Sequence, residues 1–355
     1  MNACVEKVLG GFAVLGLASL GYPASAQIID HRAIPRVESL PQATIDQIGQ
    51  LRWYFIHASV GDNIMRGLRD LHQIESVRYP LVGCTLTSSF APPVPTVPGS
   101  VYEHHFTSDK MPQFQSLVNS NGWHRPAVDV ALMKFCYLEG LATALTPGPQ
   151  LATQYVAMMA SLEQRHPDTV FVRVSMPLLI YREEGDPRRD AYYIASLVSI
   201  NRFNDSLRAD CRVNNRLLYD LADIESHDPA GNQATFRWTD GQTYPVVYAS
   251  YVYDTNRPPG ANSGHLIAPG RQQVAKGWYA LAAAIVSNLT VRPRLDWSQE
   301  ARRLHFSWSD IDFVLQQNTN VTWPAGWHDI PGADQGSHTV ICSNAPAAFF
   351  RLRKR

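Results

Sequence analysis

Trp53-Tyr54-Phe55-Ile56-His57-Ala58-Ser59-Val60-Gly61 is the stretch on which the fold turns. Its first four residues are aromatic or β-branched, a compact run that reads as a buried strand. The run stops at His57-Ala58-Ser59, and Ile64, Leu68 and Leu71 then recur at helical spacing. A strand, a tight turn and a helix therefore follow in immediate succession. The alternation continues downstream. Residues 128–133, running on through Lys134-Phe135-Cys136-Tyr137, read as a second strand, Thr169 to Val174 as a third and the segment around Leu217 to Asp220 as a fourth. Helical patterns fill 150–165, 190–209 and 269–288, the last opening on Pro269, a favoured first-turn residue.

Strands alternating with helices predict a parallel sheet covered on both faces. The expectation is an α/β domain, three-layer α/β/α and flavodoxin-like, over residues 27–290, with its regular part beginning near 45. Residues 27–50 read as a polar lead-in with a short helix from Pro41, and 80–100, rich in Pro, Ser and Thr, as a long surface loop. Near Arg292 the pattern changes to short alternating runs such as Leu304 to Trp308, Phe313 to Gln316 and Phe349 to Leu352, separated by Gly, Pro, Asn and Asp. Residues 291–355 are thus expected to form a small all-β sandwich appendage.

Residues 1–26 resemble a secretory signal peptide: Lys7, an apolar run from Val8 to Leu20, and small residues at Ala24 and Ala26. The run is short for a membrane span, which needs about 20 apolar residues, so a secreted or periplasmic protein without a span is expected. Lys+Arg and Asp+Glu number 31 each. That balance provides no field to gather nucleic acid. Cys84, Cys136, Cys211 and Cys342 follow the signal, an even number that permits disulfides in an oxidising compartment. No Cys/His spacing of a zinc site is found, and His104 and His105, as neighbours on an extended chain, project apart. No metal and no cofactor are expected. Oligomeric state is open.

Open α/β sheets place functional groups beyond the carboxyl ends of their strands. Ser59 lies at such an end. Its bland alternative is helix capping, in which the hydroxyl accepts from the next turn. A serine hydroxyl becomes an effective nucleophile only with a base in reach, and Gly264-His265-Leu266, just before the last helix, offers one.

The arrangement resembles the SGNH/GDSL hydrolase superfamily. Phe55-Ile56-His57-Ala58-Ser59 stands where that family has a strand ending in Gly-Asp-Ser, and His57, Ser59 and Gly61 match a His-x-Ser-x-Gly variant subgroup. Asn262-Ser263-Gly264-His265 stands where the family has Asp-x-x-His. Lys134 to Tyr137 and Tyr219 to Glu225 resemble further stretches of that subgroup. The resemblance covers roughly residues 50–288. It implies a serine esterase acting on an O-acyl ester, on a small molecule or a polysaccharide. Ser59 would be nucleophile and His265 base, with Asn262 in the place of the acid and Gly61, His57, Lys134 and Tyr137 lining the substrate and oxyanion region. Two departures stand out. Asn262 carries no charge, so either a carbonyl orients His265 or another acid such as Asp254 does. Phe135-Cys136-Tyr137-Leu138 replaces Gly-x-Asn-Asp, so the usual oxyanion-hole Asn is missing. An SGNH-like protein that has lost catalysis and binds a glycan or envelope partner is the alternative. Asp220, Asp223 and Glu225 are expected on a solvated face or at a helix cap.

Overall fold

The computed structural model describes residues 27–86, 96–120, 128–140, 148–167, 169–180, 191–238, 241–252, 264–290, 296–300, 303–308, 313–319, 327–341 and 349–354. Residues 1–26, Asp254, Asn262 and Cys342 lie outside them. The chain divides into two compact units, one of Tyr22–Val286 and one that includes Ser287–Arg355.

In the first unit the elements are β1 (Ile28–Ile29), α1 (Gln42–Ile48), β2 (Trp53–His57), α2 (Val60–Ile74), β3 (Val82–Thr85), β4 (Ser100–His105), α3 (Lys110–Val118) and β5 (Val130–Met133). They continue with α4 (Gly148–Arg165), β6 (Val170–Val174), α5 (Ala191–Val213), β7 (Leu218–Tyr219), α6 (Leu221–Ser226), a hairpin of β8 (Thr235–Arg237) and β9 (Thr243–Pro245), and α7 (Ala268–Thr290). Seven strands form one sheet in the order β1-β7-β6-β5-β2-β4-β3, every pair parallel.

All five residues of β2 are buried, as expected of a strand covered on both faces. Alternate side chains meet different helices. Trp53 and Phe55 each lie 5.1 Å from the Trp278 ring of α7, whereas Tyr54 stacks 6.4 Å from Phe114 of α3. The three-layer α/β/α architecture follows from that alternation. α2 packs on α7 at Gly67, where a Cβ would sit 2.2 Å from the Arg271 carbonyl oxygen. On β6, Arg173 is buried beneath α4 and pairs with Glu163, which Arg216 also approaches at 3.3 Å.

The expected loop over 80–100 is a correction. Its ends form β3 and the start of β4, so the two outer strands beyond β2 went unrecognised. β3 is a short edge strand without apolar alternation, and β4 reads Ser-Val-Tyr-Glu-His-His because Glu103 and His104 are partnered inside the fold while His105 is exposed. β5 ends at Met133, earlier than expected, and the chain then winds into a 3-10 turn at Tyr137–Gly140.

In the second unit, β10 (Asp296–Glu300), β11 (Arg303–Ser307) and β14 (Ser337–Ile341) form one antiparallel sheet. β12 (Phe313–Asn318), β13 (His328–Asp329) and β15 (Phe349–Lys354) form another. Leu304 and Phe306 from the first and Leu315 and Phe350 from the second share one apolar core, a small sandwich. Among the described cysteines, Cys84, Cys136 and Cys211 are free thiols.

Candidate active site

β4 lies on one side of β2 and β5 on the other, so the order in which strands are laid down reverses beside β2. Such a reversal opens a crevice at the strands' carboxyl ends. Ser59 stands there, between the end of β2 and the first residue of α2. Its backbone has φ 56° and ψ −108°, a conformation that a non-glycine residue holds only at a cost of about 1–3 kcal/mol. The hydroxyl makes no capping bond to α2; instead Ser59 Oγ lies 2.6 Å from Nε2 of His265. Capping therefore does not account for this serine.

Three contacts hold the loop that carries His265. Gly264 has φ +115°, and a Cβ there would come 2.8 Å from the Leu178 carbonyl oxygen, so the close approach requires glycine. The Leu266 N–H donates to Asn63 Oδ1 of α2 at 2.9 Å, and the Ile267 N–H donates to the Tyr251 carbonyl at 2.8 Å. Asn63 had no sequence signal beyond lying one helical turn past Ser59. The His265 imidazole is held below its ordinary pKa by burial first, with the positive Lys134 and Arg66 adding to the effect and Asp62 opposing it. A neutral imidazole with a serine hydroxyl at 2.6 Å can accept its proton. Among the described residues no carboxylate contacts His265; Asn262 and Asp254 are outside them.

The remaining expected site residues separate into two groups. Tyr137 is beside the pair, its ring edge-on to His265 at 6.2 Å. Its turn is pinned by Glu139, which accepts the Cys136 N–H at 2.7 Å and pairs with Lys110. Lys134 is fully buried at the end of β5 and donates to the Phe135 carbonyl at 2.8 Å. Burial lowers its pKa to about 8, and its charge disfavours the imidazolium form of His265.

Gly61 needs correcting as an oxyanion donor: its N–H is spent on the Ala58 carbonyl at 3.0 Å. Its value is spatial, since a Cβ there would meet His57 Cβ at 2.3 Å. The Ser59 N–H has no partner among the described residues and remains available at the helix N-terminus, where a developing negative charge is favoured. His57 is fully buried, with Nε2 2.8 Å from Glu103 Oε2 of β4. Glu103 belongs to β4, a strand that the sequence pattern did not reveal. Glu225 also departs from expectation: it is buried rather than solvated, accepts the Leu178 N–H at 2.9 Å, and burial raises its pKa to about 8. Asp220 does cap α6, accepting the Asp223 N–H at 3.4 Å.

The fold and site together define an α/β protein with a hydrogen-bonded Ser–His pair at the carboxyl edge of a parallel sheet. Solved structures with which the chain aligns include a GDSL-like lipase from Bacteroides thetaiotaomicron, with 10% identity, a TM-score of 0.39, and 74% of this chain and 99% of that one covered. A carbohydrate acetylesterase from Sinorhizobium meliloti gives 11% identity and a TM-score of 0.36, covering 66% of this chain and 99% of its own. The aryl esterase of M. smegmatis gives 9% and 0.37, covering 67% and 99%. Similarity this distant carries no argument about activity. No family model matches the chain, and no curated protein matches it.

Proposed function

We propose that this chain is a serine ester hydrolase of the SGNH/GDSL type, with an O-acyl ester, small or carbohydrate-borne, as substrate. The observation that carries the proposal is the 2.6 Å contact between Ser59 Oγ and His265 Nε2, made by a serine held at positive φ. Ser59 Oγ attacks the acyl carbon as its proton passes to His265 Nε2. The tetrahedral oxyanion forms against the Ser59 N–H. As the intermediate collapses, His265 returns the proton to the departing alcohol. Water, deprotonated by the same imidazole, then attacks the acyl carbon, and His265 returns that proton to Ser59 Oγ as the acid leaves. The resemblance of the His-Ala-Ser-Val-Gly block supports the ester class.

A fluorophosphonate probe tests the proposal directly. Labelling should produce a single adduct, located by peptide mass spectrometry on Ser59. His265→Ala should slow it on the order of 10²-fold or more, the scale at which a positioned base contributes. Absence of any adduct would favour the non-catalytic, ligand-binding alternative, for which the missing oxyanion-hole Asn and the engaged Gly61 amide speak.

The pH profile follows from the lowered pKa of His265. Its base form prevails at neutral pH, and turnover is lost as pH falls through the lowered value. The acid limb of kcat/KM for p-nitrophenyl acetate is expected to have its midpoint below the ordinary imidazole value of 6.5. Lys134→Met, which removes a charge that disfavours the imidazolium, should move that midpoint upward. A wild-type midpoint above 6.5 would count against His265 as the base.

A further inference from the structure

We propose that His57, Asp62 and His105 form a binding site for a divalent transition-metal ion of the zinc class. It is built on the ends of β2 and β4 and the first turn of α2, and is separate from the Ser59–His265 pair. One donor atom from each of the three residues lies within 4.8 Å of the others. His57 Nδ1 is 3.7 Å from Asp62 Oδ1, and His105 Nδ1 is 3.3 Å from the same carboxylate oxygen. Zinc bonds of about 2.0–2.2 Å at tetrahedral angles space their ligand atoms by roughly 3.3–3.6 Å. Two of the separations are thus already near those of a filled site.

His57 provides the second, independent observation. The residue is fully buried, and its Nδ1 makes no hydrogen bond. Its other nitrogen is held by Glu103 at 2.8 Å. A carboxylate accepts, so Nε2 carries the hydrogen and Nδ1 presents a bare lone pair toward Asp62; the tautomer is assigned from this partner. Leaving such an acceptor buried and unsatisfied is unfavourable, whereas a cation satisfies it. A histidine that binds metal with one nitrogen while a carboxylate orients the other is a recurrent feature of metal centres. Glu103 is itself braced by the Thr85 hydroxyl at 2.8 Å and by Arg69 at 3.7 Å. The glycine at 61 keeps the site open, because a Cβ there would stand 2.5 Å from His57 Nδ1.

Asp62 and His105 also border a cavity of about 140 Å³, on which Arg66 and Arg69 open as well. An ion held by three protein ligands would keep a coordination position for water or an anionic oxygen ligand, and the two guanidinium groups favour the anion. Adjacent His104 takes no part: its Nδ1 meets the Tyr54 hydroxyl at 3.0 Å on the opposite face of β4. The second histidine comes instead from the neighbouring strand, His57 pairing in register with His105. A superficially similar group, His31, Asp223 and His227, has its donors engaged. His31 Nδ1 bonds Asp223 at 2.5 Å, and His227 Nδ1 faces the Asp223 carbonyl at 2.8 Å.

The test is a cobalt titration of the full chain after dialysis against a chelator. Wild type should bind one equivalent of Co²⁺ with saturable visible d–d bands, which Zn²⁺ then displaces. His105→Ala and Asp62→Asn, both at solvent-accessible positions, should each weaken Co²⁺ binding at least tenfold while the circular dichroism spectrum is unchanged. Glu103→Gln should weaken it about 10–100-fold through His57. Ser59→Ala should bind as wild type does, which keeps this outcome distinct from that of the hydrolase proposal. No saturable band in wild type, or equal affinity in folded His105→Ala, would overturn the site.

Discussion

Ser59→Ala is expected to lower kcat/KM for p-nitrophenyl acetate on the order of 10⁴-fold or more, the scale on which removal of a serine nucleophile acts. The change deletes one oxygen and keeps the Cβ, so the strained turn and the start of α2 stay as they are. What disappears is the only atom that approaches the acyl carbon as His265 takes a proton. Stability should move by about 1 kcal/mol or less, because only the hydrogen bond to a half-buried imidazole is lost. Thermal unfolding of the variant provides the control. Parallel loss of folding would leave the kinetic effect uninterpretable as chemistry, so a cooperative transition near that of wild type is part of the expected result. Turnover equal to wild type in the folded variant would sink the hydrolase proposal.

Glu163→Ala should have the largest effect on stability, a loss of about 3–5 kcal/mol, since it removes a buried carboxylate that pairs with a buried guanidinium. Arg173 is 1% exposed and Glu163 is 6% exposed, so water cannot take over the role of the carboxylate. Arg216 approaches the same carboxylate, so the substitution removes one anion from beside two guanidinium groups. The melting midpoint of the first unit is expected to fall on the order of 10 °C. Glu163→Gln, which keeps an acceptor oxygen and the side-chain volume, should fall less. An unchanged midpoint in Glu163→Ala would mean that the pair is not the stabilising contact its burial implies.

Much of the fold was legible because two periodicities are local. Trp53 to Ile56 announce a strand, and Ile64, Leu68 and Leu71 announce the helix that follows; both are where they were read. Val274, Trp278, Leu281 and Ile285 mark the buried face of α7, and all four are buried. β3 and β4 escaped for a physical reason. A buried strand declares itself through apolar side chains, and β4 instead carries the buried Glu103 and His104, whose polarity is tolerated because partners on β2 and β3 receive them, and ends on the exposed His105. Glu225 escaped likewise, since an acidic residue reads as solvated unless its burial is seen.

Sequence alone established the alternating α/β plan, the all-β tail, and Ser59 and His265 as residues worth pairing, since strand ends and helix starts are written in neighbouring side chains. Tertiary structure decided the rest. It closed the long gap between Ser59 and His265 to a hydrogen bond, committed the Gly61 amide elsewhere, and turned His57 toward Glu103, Asp62 and His105. Distances between remote segments depend on how strands are ordered across the sheet, and that order is a property of the packed whole rather than of any local run of residues.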